Sequence, residues 1–184
     1  MKVKLFCGFQ RYGQWTNHSS GLFHLTSGFG AWPGLKNKDD KFLIALIACP
    51  SVFFSLPNDI QNDSYLFDID EKFSKKNKNA IVFDFNKYDD IKEFNNYFDM
   101  VVIDPPFVTK EAWEKFSNFT KMIIKENGFI LTCSLYENSE MLNSLLGLKI
   151  RNFQPSIPHL VYQYNFYSNY EDSDLNEKNN ELVY

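Results

Sequence analysis

Asp104-Pro105-Pro106-Phe107 is the most chemically pointed tetrapeptide in the chain. Two successive prolines stiffen a turn and remove two backbone donors, which leaves the carbonyls and the Asp104 carboxylate as acceptors around one spot. The aromatic face of Phe107 stands beside them. Acceptors for N–H groups next to a ring that stacks or meets a cation suit a flat or cationic amine. Further acids close other apolar runs. Asp68 and Asp70 follow Ser64-Tyr65-Leu66-Phe67, Asp84 and Phe85 follow Ala80-Ile81-Val82-Phe83, and Met100-Val101-Val102-Ile103 leads into Asp104. In an open parallel sheet the carboxyl ends of the strands line the ligand crevice, so acids at three such ends meet in one cleft.

The elements that must carry these residues are legible as punctuation. Phe42 to Ala48 (FLIALIA) is a continuous apolar run closed by Cys49-Pro50-Ser51, which predicts a buried parallel strand, a turn and the short helix SVFFSLP. After Phe107, Thr109 caps a helix whose Glu111 and Glu114 suit its positive end and whose Lys121 and Lys125 suit its negative end. Trp113, Phe116, Thr120, Ile123 and Ile124 share one face of it, and Asn127-Gly128 stops it. Phe129 to Cys133 predicts another buried strand, and Glu137 to Leu146 another helix. Lys149–Phe153 and Leu160–Tyr167 predict two last strands around a proline-rich break, an antiparallel pair closing an otherwise parallel sheet. Residues Met1 to Leu35 are rich in Gly and aromatics and show no sustained period of 2 or 3.6.

Composition narrows the function classes. With 184 residues, 44% of them apolar and 17% aromatic, the chain suits one compact domain. The net charge of −4 sits entirely in the tail after Tyr170, where Glu171, Asp172, Asp174, Glu177 and Glu181 face only Lys178. The body is therefore balanced, without the basic excess that phosphate neutralisation demands of a duplex-gripping protein. Lys72, Lys75, Lys76 and Lys78 read as a solvated turn. Cys7, Cys49 and Cys133 form no CxxC pair and no metal-ligand spacing. No apolar run reaches the roughly 18 residues of a membrane span. The expectation is a soluble, cytoplasmic protein with no metal and no membrane partner.

A [DN]PP[FYW] tetrapeptide at the end of the fourth strand resembles the amino-methyltransferases that use S-adenosylmethionine. More narrowly, residues 42 to 171 resemble the probable N6-adenine methyltransferase family, whose best-understood branch methylates a lysine of translation elongation factor 1-alpha. The blocks ACPSVF, YLFDIDEKF, FDFN, FDMVVIDPPF and FQPSIPHLVYQYNFYSNYE carry the likeness in order and spacing. It implies a Rossmann-like α/β fold, a seven-stranded mostly parallel sheet with an antiparallel last strand. With the pattern and composition on either side of it, the division is an irregular aromatic and Gly-rich segment 1–41, a methyltransferase domain 42–170 and an acidic, disordered tail 171–184. The first loop, Ala48-Cys49-Pro50-Ser51, lacks the glycines common in the wider superfamily.

The resemblance assigns roles as well. Pro50 and Ser51 with the following helix start hold the carboxylate of S-adenosylmethionine, and Asp68 or Asp70 holds its ribose hydroxyls. Asp84 and Phe85 meet the adenine edge and face. Asp104, Pro105, Pro106 and Phe107 orient the acceptor amine. The balanced charge favours a protein lysine, as in elongation factor 1-alpha, over adenine N6 of DNA or RNA. A methyltransferase-like domain that binds a protein without turnover is the rival from another class.

Overall fold

The computed structural model describes residues 41–88, 91–105, 109–155 and 162–178. The segment expected to be irregular, residues 1–41, lies outside them except for Lys41. Seven strands form one sheet: β1 (Ile44–Ile47), β2 (Ser64–Asp68), β3 (Ala80–Val82), β4 (Phe98–Ile103), β5 (Ile124–Leu135), β6 (Lys149–Ile150) and β7 (Tyr164–Ser168). Their spatial order is β3-β2-β1-β4-β5-β7-β6. Strands β1 to β5 run parallel, and β7 runs antiparallel to both neighbours. The expected seven-stranded, mostly parallel sheet is therefore present. The strand order reverses direction at β1 and β4, the switch point where open α/β sheets leave a crevice.

Helices α1 (Pro50–Ser55), α2 (Asn58–Asn62), α3 (Glu71–Ser74), α4 (Lys110–Ile123), α5 (Ser139–Leu146) and α6 (Ser173–Asn176) flank the sheet. The two-residue period of each strand sorts its side chains between two layers. Ala45, Ile47, Phe67, Val101 and Ile103 pack on Trp113, Phe116, Phe119 and Ile123 of α4 and on Leu142 of α5. Ile44, Leu46, Leu66, Met100 and Val102 pack on Val52 and Phe53 of α1 and on Leu175 of α6. Because both faces are covered, the central strands carry apolar residues at nearly every position, which is why they read as unbroken runs.

Several boundaries differ from expectation, and tertiary hydrogen bonds account for two of them. Helix α4 is capped by Thr109 as predicted, its Oγ1 accepting from the Ala112 N–H at 3.3 Å, but it ends at Ile123 and not at Asn127-Gly128. The backbone N–H groups of Asn96 and Tyr97 take the carbonyls of Met122 and Ile123 at 3.0 and 2.8 Å. Lys125, expected at the helix end, donates instead to Asp99 at 2.8 Å and enters β5. The expected strand 149–153 stops at Ile150, since the Phe153 N–H turns to the Leu175 carbonyl at 2.9 Å. Strand β7 begins at Tyr164, after Tyr162 and Gln163, which the expected strand 160–167 included; residues 156–161 lie outside the described residues.

The tail is also corrected as far as Lys178. Arg151 is buried and donates to Ser168 Oγ at 2.6 Å, to the Ser168 carbonyl at 2.9 Å and to Glu171 at 2.6 Å. Leu175 is 2% exposed. A buried guanidinium left without acceptors is strongly destabilising, so Glu171 and the chain after it are held where composition predicts disorder. Residues 179–184 lie outside the described residues.

Candidate functional site

The site grows from the turn after β1. Ala48 takes a left-handed conformation, φ 56°, which an alanine adopts only under strain. The turn thus has the backbone shape a glycine normally supplies, without the glycine. It is held by the Ala48 N–H donating to the Phe67 carbonyl at 2.8 Å and by the Asp104 N–H donating to the Ile47 carbonyl at 3.0 Å. Cys49 then enters the interior, its thiol reaching the carbonyls of Ile47 at 3.1 Å and Val102 at 3.6 Å. Pro50 starts α1, where its missing N–H costs nothing. Ser51 is half-buried in the first turn of that helix.

Cys49 reports what surrounds it. Burial, and then the negative charges of Asp104 and Asp68, push its thiol well above its ordinary value. The thiol therefore stays protonated, and the pairing of Ile47 with Phe67 on one side and Ile103 on the other places Asp68 and Asp104 on either side of the turn. Asp68 is half-buried and accepts from the Asp70 N–H at 2.9 Å. Loss of solvent, more than the nearby Asp70, raises its pKa. This is an acceptor held at a cost in the free protein, one that hydroxyl donors from a ligand would relieve.

The remaining sequence-predicted residues divide. Asp70 is engaged as the cap of α3, accepting from the Lys72 N–H at 3.0 Å. Asp84 folds into its own turn, accepting from the Asn86 N–H at 2.9 Å and from its amide at 3.1 Å. Phe85 packs in the α4 layer, its ring 5.0 Å from Phe116 and with Lys115 Nζ 5.7 Å from its centre. It is thus turned away from the α1 layer that holds Cys49. Asp104 is half-buried and Pro105 buried, while Pro106 and Phe107 lie outside the described residues.

One residue in this region carries no signal in the sequence beyond strand packing. Tyr164 opens β7 opposite Leu135. Because β7 runs antiparallel, its first residue lies at the same edge as the last residues of β1 and β4. Burial first, and Asp104 second, raise its phenol above the ordinary value. Only the reversed strand direction brings it there.

Among the described residues, no group of three or more His, Cys, Asp or Glu is placed to hold a metal ion. No helix among them is long and apolar enough to cross a membrane.

Residues 33–172 match the family described as "Probable N6-adenine methyltransferase". The chain belongs to that family. Among its relatives, the mouse protein named EEF1A lysine methyltransferase 1 is 31% identical over 133 residues, covering 70% of this chain and 61% of the mouse protein. The yeast (Saccharomyces cerevisiae) protein-lysine N-methyltransferase EFM5 is 25% identical over 160 residues, covering 76% of this chain and 64% of the yeast protein. The chain thus spans about three-fifths of the length of the curated relatives it matches. Among solved structures, a SAM-dependent methyltransferase of Leishmania major superposes with a TM-score of 0.50 at 13% identity, covering 77% of this chain and 68% of that one. That likeness speaks for the family's Rossmann-like fold.

Proposed function

We propose that this chain transfers a methyl group from S-adenosylmethionine to a protein lysine, with elongation factor 1-alpha as the acceptor. One observation carries the reading: two half-buried carboxylates, Asp68 and Asp104, follow the strand ends on either side of the turn after β1, at the switch point of the sheet. The names of the mouse and yeast relatives support lysine as the acceptor. The sulfonium of the bound cofactor supplies the electrophilic methyl.

In this reading Asp68 accepts the ribose hydroxyls, which offsets the desolvation it suffers in the free protein. Ser51, at the start of α1, meets the carboxylate end of the cofactor beside Pro50. Asp84 stands at the adenine edge, with Phe85 behind it supporting the strand end. Asp70 supports Asp68 by shaping the loop. Asp104 and the Pro105 carbonyl accept N–H bonds from the amine and aim its lone pair at the methyl, with Pro106 and Phe107 completing the wall. A charged lysine has no lone pair to offer, so the acceptor loses a proton before transfer, and the Asp104 carboxylate favours the cationic product. In this reading, with a translation factor as acceptor, the protein works in the cytoplasm.

The family's description favours a second reading, adenine N6 as the acceptor. The absence of net basic charge outside the tail argues against a duplex substrate. The two readings separate when recombinant elongation factor 1-alpha and adenine-containing oligonucleotides are offered in parallel with cofactor and analysed by mass spectrometry. Methyl on lysine alone is expected; methyl on adenine alone overturns the choice of acceptor. If calorimetry shows cofactor binding but neither acceptor is modified, the non-catalytic rival gains.

A further inference from the structure

Lys115 is engaged in a way that the helical surface around it is not. Half-buried on α4, its Nζ donates to Glu111 one turn back at 2.9 Å. It also donates to Asn86 Oδ1 at 2.6 Å, across 29 residues of chain. The same Nζ lies 5.7 Å from the centre of the Phe85 ring, which meets Phe116 at 5.0 Å. The bond from Lys115, and then its charge, hold the Glu111 carboxyl below its ordinary value. The other ion pair of this helix, Lys110 with Glu114, is 3.9 Å apart, exposed, and within the helix. Asn86 belongs to the turn after β3, closed by the Lys87 N–H donating to the Asp84 carbonyl at 2.8 Å. An ammonium only donates and a carboxylate only accepts, so the Asn86 amide between them has one orientation. Its oxygen faces Lys115 and its Nδ2 donates to Asp84 Oδ1 at 3.1 Å. The Asn86 N–H reaches the same Oδ1 at 2.9 Å. Among the described residues, Asp84 Oδ2 accepts no hydrogen bond.

We propose that Lys115 is a positioning residue for the adenine of the cofactor: through Asn86 it holds the Asp84 carboxylate with Oδ2 open to the exocyclic amine. The inference rests on the S-adenosylmethionine reading, in which Asp84 stands at the adenine edge. An exocyclic amine offers N–H groups, which an unspent carboxylate oxygen accepts. The two short bonds from Asn86 to Asp84 give the turn its shape. Lys115, together with the packing of Phe85 on Phe116, fixes that turn against α4. Helix α4 starts at Lys110, shortly after the DPPF turn, so one lysine ties the adenine side of the crevice to the acceptor side. An exposed ion pair alone contributes little to folding. Loss of Lys115 therefore shows in the choice of ligand and not in the stability of the fold.

The test uses titration calorimetry on the full chain with two ligands. One is S-adenosylhomocysteine; the other is S-inosylhomocysteine, which carries an oxygen in place of the exocyclic amine. The wild type is expected to prefer the amine. Lys115→Met keeps an unbranched stem beside Phe85 and removes the donors. Its affinity for S-adenosylhomocysteine should fall about fivefold, within the roughly tenfold worth of a hydrogen bond to a charged acceptor. Its affinity for S-inosylhomocysteine should stay within about twofold of the wild type. Asn86→Ala, at an exposed position, should reproduce that pattern, and the double variant should lose no more than either, because the relay acts as one unit. A merely structural loss would weaken both ligands alike. Equal weakening, no weakening, additive losses, or a wild type indifferent to the amine each overturn the inference and leave the methyltransferase reading intact. A wild type that binds neither ligand overturns the cofactor reading and this inference with it.

Discussion

The two flanks of the crevice are built by opposite rules. On the β2–β3 side every acid is tied to its own neighbourhood: Asp68 holds the Asp70 N–H, Asp70 holds the Lys72 N–H and Asp84 holds Asn86. These bonds span two residues each, so loop shape and carboxylate position are set together by local chain. On the β4–β7 side Asp104 and Tyr164 come from strands joined only through β5. Their proximity depends on the whole sheet. The carboxylates of the first flank are positioned by short stretches of chain, the residues of the second by the assembled sheet.

The largest test of this contrast is Asp104→Asn. It keeps shape and one acceptor but removes the charge that favours the developing ammonium. Methyl transfer should fall about 100-fold, the scale of losing one preorganised electrostatic group. Cofactor affinity by titration calorimetry should stay within about threefold, since the β2 flank is untouched. Unchanged turnover in a folded variant would remove Asp104 from the chemical centre.

Next come the two acids of β2, which the local rule separates. Asp68→Ala should weaken cofactor binding about tenfold, the value of a hydrogen bond to a charged acceptor. Asp70→Ala should instead cost about 1 kcal/mol of stability through the lost cap of α3. Its calorimetric affinity should change much less than that of Asp68→Ala. Equal and negligible effects on affinity would refute the assignment of Asp68 to the ribose.

A smaller effect has a sign that sharpens the same point. Burial raises the folded-state pKa of Asp68 above its ordinary value of 3.8, so the folded protein binds that proton more tightly than the unfolded chain does. The stabilisation this provides is complete below the unfolded value and is lost as pH rises through the folded one. At neutral pH the charge is a burden, which Asp68→Asn removes while keeping the acceptor for the Asp70 N–H. The ligand-free variant should melt about 1–3 °C above the wild type at pH 7. That gap should shrink as the pH is lowered towards 4, which scanning calorimetry can follow.

The smallest expected change lies at the turn that joins the flanks. Ala48→Gly relieves a left-handed alanine and should stabilise by about 0.5 kcal/mol after the entropy of the added glycine is counted. A loss of stability in denaturant titration would show that the Ala48 methyl packs more than its backbone strains.

What the sequence by itself determined follows from short-range physics. Apolar runs mark β1 to β4, closed by Cys49-Pro50-Ser51 after β1 and by acids after β2, β3 and β4, because strands buried on both faces carry no polar alternation. Thr109 and the amphipathic stripe from Trp113 to Ile123 mark α4. DPPF marks the carboxyl end of β4, because two prolines and a carboxylate make one turn chemically distinct. What the tertiary structure alone decided involves partners far apart in the chain. Helix α4 stops early because Asn96 and Tyr97 claim its last carbonyls, and Glu171 is held against the sheet because a buried Arg151 donates to it. Phe85 turns to the α4 layer because Phe116 is there to meet it. Tyr164 reaches the β4 end of the sheet because β7 runs backwards between β5 and β6; the proline-rich break predicts an antiparallel last pair, but the insertion of β7 beside β5 and its register are properties of the assembled sheet.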